Sequence, residues 1–229
     1  MGVVYGTSNV LLKGALHIFG DWKVEGREYV PPKGPLIIVS NHQSNMDPPI
    51  LAVSIPRRIN FMAKRGLFHN PVASLFLKAY GAFPLNQSGN DLAAIQRSLK
   101  MLSRGAALVI FPEGTRSPGA IRKAIPGIAM IALRSGAPIL PVGITGTESI
   151  GPPWQIAIPR GEFKVRIGQP FSVPPMEGKV IRGQLEVITT MIMERVAALL
   201  PESYRGVYAL KENGAFSEVG SGENGKGST

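Results

Sequence analysis

His42 and Asp47 stand five residues apart in Asn41-His42-Gln43-Ser44-Asn45-Met46-Asp47, a spacing suited to proton transfer. An imidazole can take a proton from a hydroxyl, and a nearby carboxylate orients the ring and decides which nitrogen is free. The pair directly follows the apolar run Leu36-Ile37-Ile38-Val39-Ser40, which reads as a buried strand. Asp47 before Pro48 reads as a helix N-cap with proline at the first helical position, leaving His42 in a strand-to-helix loop. Ser44 as the cap, with Asp47 closing a capping box, is the alternative. Taken alone, such a pair is more often a loop histidine beside a structural cap than a catalytic base.

A second run, Phe111-Pro112-Glu113-Gly114-Thr115-Arg116-Ser117, also follows an apolar strand, Ala107–Phe111. Residue by residue it reads as a Pro-Glu-Gly turn. As a ligand site it has a different logic. Gly114 lets the backbone approach a ligand, Arg116 forks onto a phosphate, and Thr115 and Ser117 add hydroxyl donors. In open α/β sheets ligands gather at the carboxyl ends of strands, where both runs fall.

The elements that must hold these residues follow from periodicity. Strand-like runs occur at Trp22–Glu25, Leu36–Ser40, Ile59–Ala63, Ala82–Leu85, Ala107–Phe111 and Ile139–Ile144, with helical patterns between most of them. That alternation predicts one α/β domain with a largely parallel central sheet flanked by helices. Leu92–Arg104 is the clearest helix, with Leu92, Ile95, Leu99 and Leu102 on one stripe, Asn90 or Asp91 at its start and Gly105 past its end. Its other stripe, Arg97, Lys100 and Arg104, reads as a solvated face or an anionic-lipid contact. A short amphipathic helix over Thr7–Phe19 is expected, with Thr7 or Ser8 as its cap and Leu11, Ala15, Ile18 and Phe19 on one face. Gln155–Gly168 reads as a late hairpin turning at Pro159-Arg160-Gly161, and Ile181–Leu200 as a final helix ended by Pro201. The expected organisation is therefore an N-terminal helix at 1–20, the main domain at 21–211 and a disordered Gly/Ser/Glu-rich tail at 212–229.

Composition narrows the partners. The 229 residues carry 25 Lys and Arg against 15 Asp and Glu, a formal charge of +10. The tail holds three of those acids and one base, so the body keeps 24 basic against 12 acidic residues. Such a body suits a polyanionic partner or phosphorylated substrate. With no cysteine, thiolate nucleophiles and Cys-based metal sites are excluded, and His17, His42 and His69 show no ligand spacing. No apolar run approaches the roughly 18–20 residues of a membrane-spanning helix, and the N-terminus does not read as a signal peptide.

The two runs together carry a family resemblance. His-x-x-x-x-Asp followed by Phe-Pro-Glu-Gly-Thr-Arg resembles the glycerolipid acyltransferases, particularly bacterial 1-acylglycerol-3-phosphate acyltransferases. The resemblance extends over Trp22 to Ile144, taking in Met62-Ala63-Lys64 with Leu67-Phe68, Gly81-Ala82-Phe83-Pro84 and Leu140-Pro141-Val142. It implies that His42 is the base and Asp47 its partner. The glycerol hydroxyl would then attack the thioester of acyl-CoA or acyl-carrier protein directly, giving phosphatidic acid for phospholipid biosynthesis. It further implies that Glu113, Gly114, Thr115 and Arg116 hold the glycerol phosphate, with Lys64 and Ser44 as further substrate contacts, and that neither metal nor cofactor is needed. Gln87, Ile125 and Gly66 stand where relatives often carry arginine, lysine and glutamate. The first two departures bear on the acceptor more than on acyl transfer, so another lysophospholipid or hydroxyl acceptor is the alternative.

Such substrates imply a lipid surface. Residues Val3–Phe19 would lie in the interface of an anionic membrane, on the cytoplasmic face of the cell membrane, or else simply cover the sheet. A catalytically silent lipid- or phosphate-binding module on the same fold is disfavoured by the His42/Asp47 pair, since binding needs no base. Nucleic-acid binding is disfavoured by the absence of basic-aromatic interleaving, and a serine hydrolase by the absence of Gly-x-Ser-x-Gly.

Overall fold

A computed structural model describes residues 2–85, 92–151, 153–176 and 181–209. Its strands are β1 (Gly20–Glu25), β2 (Leu36–Ser40), β3 (Ile59–Lys64), β4 (Ala82–Leu85), β5 (Ala107–Ile110), β6 (Ile139–Thr145) and β7 (Gly161–Ile167). They form one sheet in the order β1-β7-β6-β2-β5-β3-β4. From β6 to β4 every pairing is parallel, whereas β7 runs antiparallel to β6 and carries β1 parallel beside it. The central strands β2 and β5 are buried at every residue, the reason for their unbroken apolar runs. Edge strand β1 alternates half-buried and exposed positions, and edge strand β4 tolerates Pro84, which has no amide to donate.

Helices cover both faces. Helices α1 (Val3–Phe19), α2 (Asp47–Ser54) and α3 (Pro71–Tyr80) pack over Leu36, Ile38, Val109 and Val142. On the other face α4 (Leu92–Leu102), α5 (Gly127–Ser135) and α6 (Arg182–Ala197) cover Ile37, Val39, Leu108 and Ile110. The boundaries of α3 follow from its sequence. The Asn70 side chain accepts hydrogen bonds from the Val72 and Ala73 amides, Pro71 occupies the first turn, and Gly81 ends the helix at φ 101°.

Helix α1 begins at Val3 rather than near Thr7, because the Thr7 hydroxyl donates to the Val3 carbonyl, making it an interior residue rather than a cap. The core-facing side of α1 carries Tyr5, Leu12 and Leu16, while Leu11, Ile18 and Phe19 point outward. The hairpin expected over Gln155–Gly168 does not form. Residues Pro153–Ala157 make a 3-10 turn, and β7 finds its partners in β6 and the distant β1. The expected caps Asn90 and Asp91, Gln87, and the tail at 212–229 lie outside the described residues.

Candidate active site

The sheet brings the ends of β2, β5, β3 and β6 to one edge, where the site is assembled. Immediately after β2, Asn41 fastens the loop to β6. Its Nδ2 donates to the Ile144 carbonyl at 2.9 Å, and its Oδ1 accepts from the Ile144 amide at 2.8 Å. Gln43 Nε2 donates to the same carbonyl at 2.7 Å. His42 is thus held between two side chains anchored to a neighbouring strand.

His42 Nδ1 lies 2.7 Å from Asp47 Oδ2. A carboxylate only accepts, so in the neutral ring Nδ1 carries the proton and Nε2 the lone pair. Asp47 is fully buried, while the His42 side chain is 18% exposed, so the ring is the group open to a ligand. The same Oδ2 also accepts from the Gln43 amide at 2.6 Å and the Ser44 amide at 2.9 Å, and Oδ1 accepts from the Thr147 hydroxyl at 2.5 Å. The Phe111 ring stacks on the imidazole, with centroids 4.2 Å apart and planes inclined by 21°.

The turn before α2 joins Ser44 to Asp47, but neither caps the helix, whose N-cap is Met46. Ser44 Oγ accepts from the Met46 amide at 3.0 Å while Asp47 reaches back to the Ser44 amide. Asp47 therefore lies inside the first turn of α2 rather than capping it. Ser44, expected at the substrate, is buried and used by this turn.

Glu113 is likewise occupied by the fold. Its Oε1 accepts from the His42 amide at 2.9 Å and its Oε2 from the Arg122 amide at 2.9 Å, with the residue 5% exposed. Burial pushes its carboxyl above the usual range, while the two amides act in the opposite sense. The Ser117 amide donates to the His42 carbonyl at 2.6 Å. Both backbone polar groups of His42 are therefore tied to the second run. Ser117 itself spends its hydroxyl on the Ala120 carbonyl.

The rest of that run is open. Gly114 turns at φ 67°, and a Cβ there would lie 2.7 Å from Ile125 Cδ1, so only glycine fits without displacing that side chain. Gly114, Thr115 and Arg116 are exposed, as are Lys64 at the end of β3 and Arg122 and Lys123 just beyond the run. Among the described residues Lys64, Arg116, Arg122 and Lys123 make no ion pair, which leaves four cations for an anionic group. Among the described residues no group of three or more His, Asp or Glu is arranged to hold a metal ion.

Asn41, Phe111 and Thr147 were not singled out by residue type. Asn41 and Phe111 flank the two strand ends and so carry a local signal, whereas Thr147 meets Asp47 only through the sheet.

A family model described as Acyltransferase matches residues 21–145. The chain is 29% identical to the 1-acyl-sn-glycerol-3-phosphate acyltransferase of Bacillus subtilis over 82% of its own length and 92% of that protein. It is 30% identical to the chloroplastic BAT2 enzyme of the same name from Brassica napus over 69% of this chain, spanning 47% of that protein. Its fold matches the crystal structure of the 1-acyl-sn-glycerophosphate (LPA) acyltransferase PlsC of Thermotoga maritima with a TM-score of 0.67 and 27% identity, covering 85% of this chain and 79% of that one. A histidine–carboxylate pair and an open cationic loop at one sheet edge, inside a segment matched by the family model, lead to one assignment: the chain belongs to the acyltransferase family.

Proposed function

We propose that the protein acylates the sn-2 hydroxyl of 1-acylglycerol 3-phosphate, taking the acyl group from acyl-CoA or acyl-carrier protein and releasing phosphatidic acid. The observation that carries this reading is the tie between His42 and the Glu113–Arg116 run, which puts a base beside free cations. Similar proteins named for this reaction support the choice of acceptor.

In this reading His42 Nε2 takes the hydroxyl proton as the oxygen attacks the thioester carbonyl. The tetrahedral intermediate then expels the thiolate, which recovers the proton from the imidazolium. A thioester is already activated, so no covalent acyl-enzyme is required. A positioned base supplies about 10²–10⁴-fold of the rate. Arg116, with Lys64 and the Thr115 amide, binds the acceptor phosphate, while Glu113 holds the loop that presents them. No metal or further cofactor enters these steps.

The enzyme works as a peripheral protein on the cytoplasmic face of the cell membrane. Outward apolar side chains on α1 and α3 and the basic body support attachment to anionic lipid. Among the described residues no helix is long and apolar enough to cross a membrane.

The test incubates purified protein with labelled acyl-CoA or acyl-carrier protein and a panel of lysophospholipids, comparing wild type with His42→Ala. Labelled phosphatidic acid from wild type, and its loss in the variant, is the expected result. Full activity in the variant would sink the mechanism. Turnover only with another lysophospholipid would reassign the acceptor.

A further inference from the structure

Asp47 is gripped from two directions, and only one of them belongs to the loop that carries His42. Three donors, His42 Nδ1 and the Gln43 and Ser44 amides, converge on Oδ2. Oδ1 receives the hydroxyl of Thr147, a hundred residues further along the chain. With donors on one oxygen alone, the carboxylate could twist about its Cβ–Cγ bond and tilt the line along which Nδ1–H points. A donor on Oδ1 fixes the carboxylate plane, and with it the orientation of the imidazole.

The chain is shaped to deliver that hydroxyl. After β6 ends at Thr145, Gly146 reverses direction at φ 90°, where a Cβ would fall 1.9 Å from the Glu162 carbonyl oxygen. No side chain fits there, and the positive φ favours glycine independently. Thr147–Ser149 then forms a single 3-10 turn, and its middle residue, Glu148, accepts a hydrogen bond from the Tyr204 hydroxyl. Thr147 and Asp47 are both fully buried. Water therefore cannot readily replace a lost hydroxyl, and a buried carboxylate oxygen left without its donor is costly.

We propose that Thr147 is a positioning residue for the reaction, acting on His42 through Asp47. It lies two residues beyond the segment matched by the family model. The proposal rests on His42 serving as the base, and one of its two readouts is independent of that role.

The test compares Thr147→Val, which keeps the branched shape and removes the hydroxyl, with Thr147→Ser, which keeps the hydroxyl. In steady-state assays the valine variant should lose about ten- to a hundredfold in kcat, the rate equivalent of one hydrogen bond to a charged group, with both KM values unchanged. The serine variant should stay within about threefold of wild type. In parallel, the His42 Nδ1–H proton is followed by NMR in protein labelled with ¹⁵N-histidine. Its downfield resonance should broaden or move in the valine variant and persist in the serine variant. Wild-type kcat in the valine variant, equal losses in both variants, or an unchanged resonance in the valine variant would each overturn the proposal. Should wild type transfer no acyl group to any acceptor, the acyl-transfer reading fails, while the resonance still decides whether Thr147 orients His42.

Discussion

The His42 amide donates to Glu113 Oε1 at 2.9 Å, so the histidine's backbone is set by a carboxylate 71 residues away rather than by its own loop. The other Glu113 oxygen takes the Arg122 amide. One buried side chain thus fixes the spacing between the imidazole and the cationic stretch Arg116–Lys123, two parts of the site that belong to different crossovers of the sheet.

Replacing Glu113 by glutamine tests this link. An amide side chain can accept from only one of the two backbone donors, so one tether breaks, and kcat should fall roughly ten- to a hundredfold through misplacement of the base. Stability should respond differently. Burial raises the folded-state carboxyl above its ordinary value, so the folded state keeps this proton to higher pH than the unfolded chain. The associated stability is fully present below the unfolded value and is lost as pH rises through the folded one. Urea denaturation of wild type and E113Q across the carboxylate range should show wild type losing ground as pH increases. A constant difference would mean that the burial cost is absent.

Arg116 is exposed and makes no ion pair among the described residues, so its removal should act on the acceptor rather than on the fold. R116A is expected to raise the KM for 1-acylglycerol 3-phosphate about ten- to a hundredfold, the worth of one charge-assisted contact, with kcat within a fewfold of wild type. Steady-state kinetics at saturating donor checks this. An unchanged acceptor KM moves the phosphate elsewhere.

Some parts of this site are legible in the sequence and others are not, for physical reasons. Central strands β2 and β5 are buried on both faces, so their composition alone announces them, and His42, Asp47 and Arg116 follow them at strand ends. Glu113 looks like part of a surface turn beside Pro and Gly, and only the family resemblance gives it a ligand. Its two amide partners lie on other segments and have no local signature. Thr147 is hidden for the same reason. Strand β7 was assigned to a hairpin because its alternation is local, whereas its pairing with β1 depends on sheet order. In α1 both sides carry apolar residues, and only packing distinguishes the inward Tyr5 and Leu16 from the outward Leu11 and Ile18.

Arg57 is a second tie between crossovers, this time at the opposite end of the strands. Its guanidinium donates to the carbonyls of Pro31, Gly34 and Gly105 at 2.8, 2.7 and 3.2 Å. R57A should cost about 2–3 kcal/mol in urea unfolding by leaving three carbonyls without their donor. R57K should recover only part of this, since an ammonium cannot reproduce the planar fork. Equal stability of R57A and wild type would show that solvent replaces these bonds freely.

Attachment to lipid is testable on the outward faces of α1 and α3. The two helices are joined by the tilted rings of Tyr5 and Tyr80, with centroids 5.2 Å apart, and by the Tyr80 hydroxyl, which donates to Asn9 Oδ1 at 2.8 Å. Leu11 and Ile18 on α1 are each 74% exposed, and Val72 and Leu75 on α3 are 78% and 73% exposed. The chain has no acidic residue before Asp21 and none between Asp47 and Asp91, while Lys13, Lys64, Arg65 and Lys78 lie in those stretches. Apolar insertion and attraction to anionic headgroups would therefore act together. Sedimentation with phosphatidylglycerol vesicles should detect binding that weakens with salt and is much reduced on phosphatidylcholine alone. L11D and L75D should each lower the anionic-vesicle partition coefficient at least about tenfold, since inserting one leucine contributes on the order of 1.5–3 kcal/mol. Both positions are exposed and neither supplies a group to the chemistry, so turnover of detergent-dispersed substrates should be preserved. Vesicle binding unaffected by either substitution would place the lipid contact on another face of the protein.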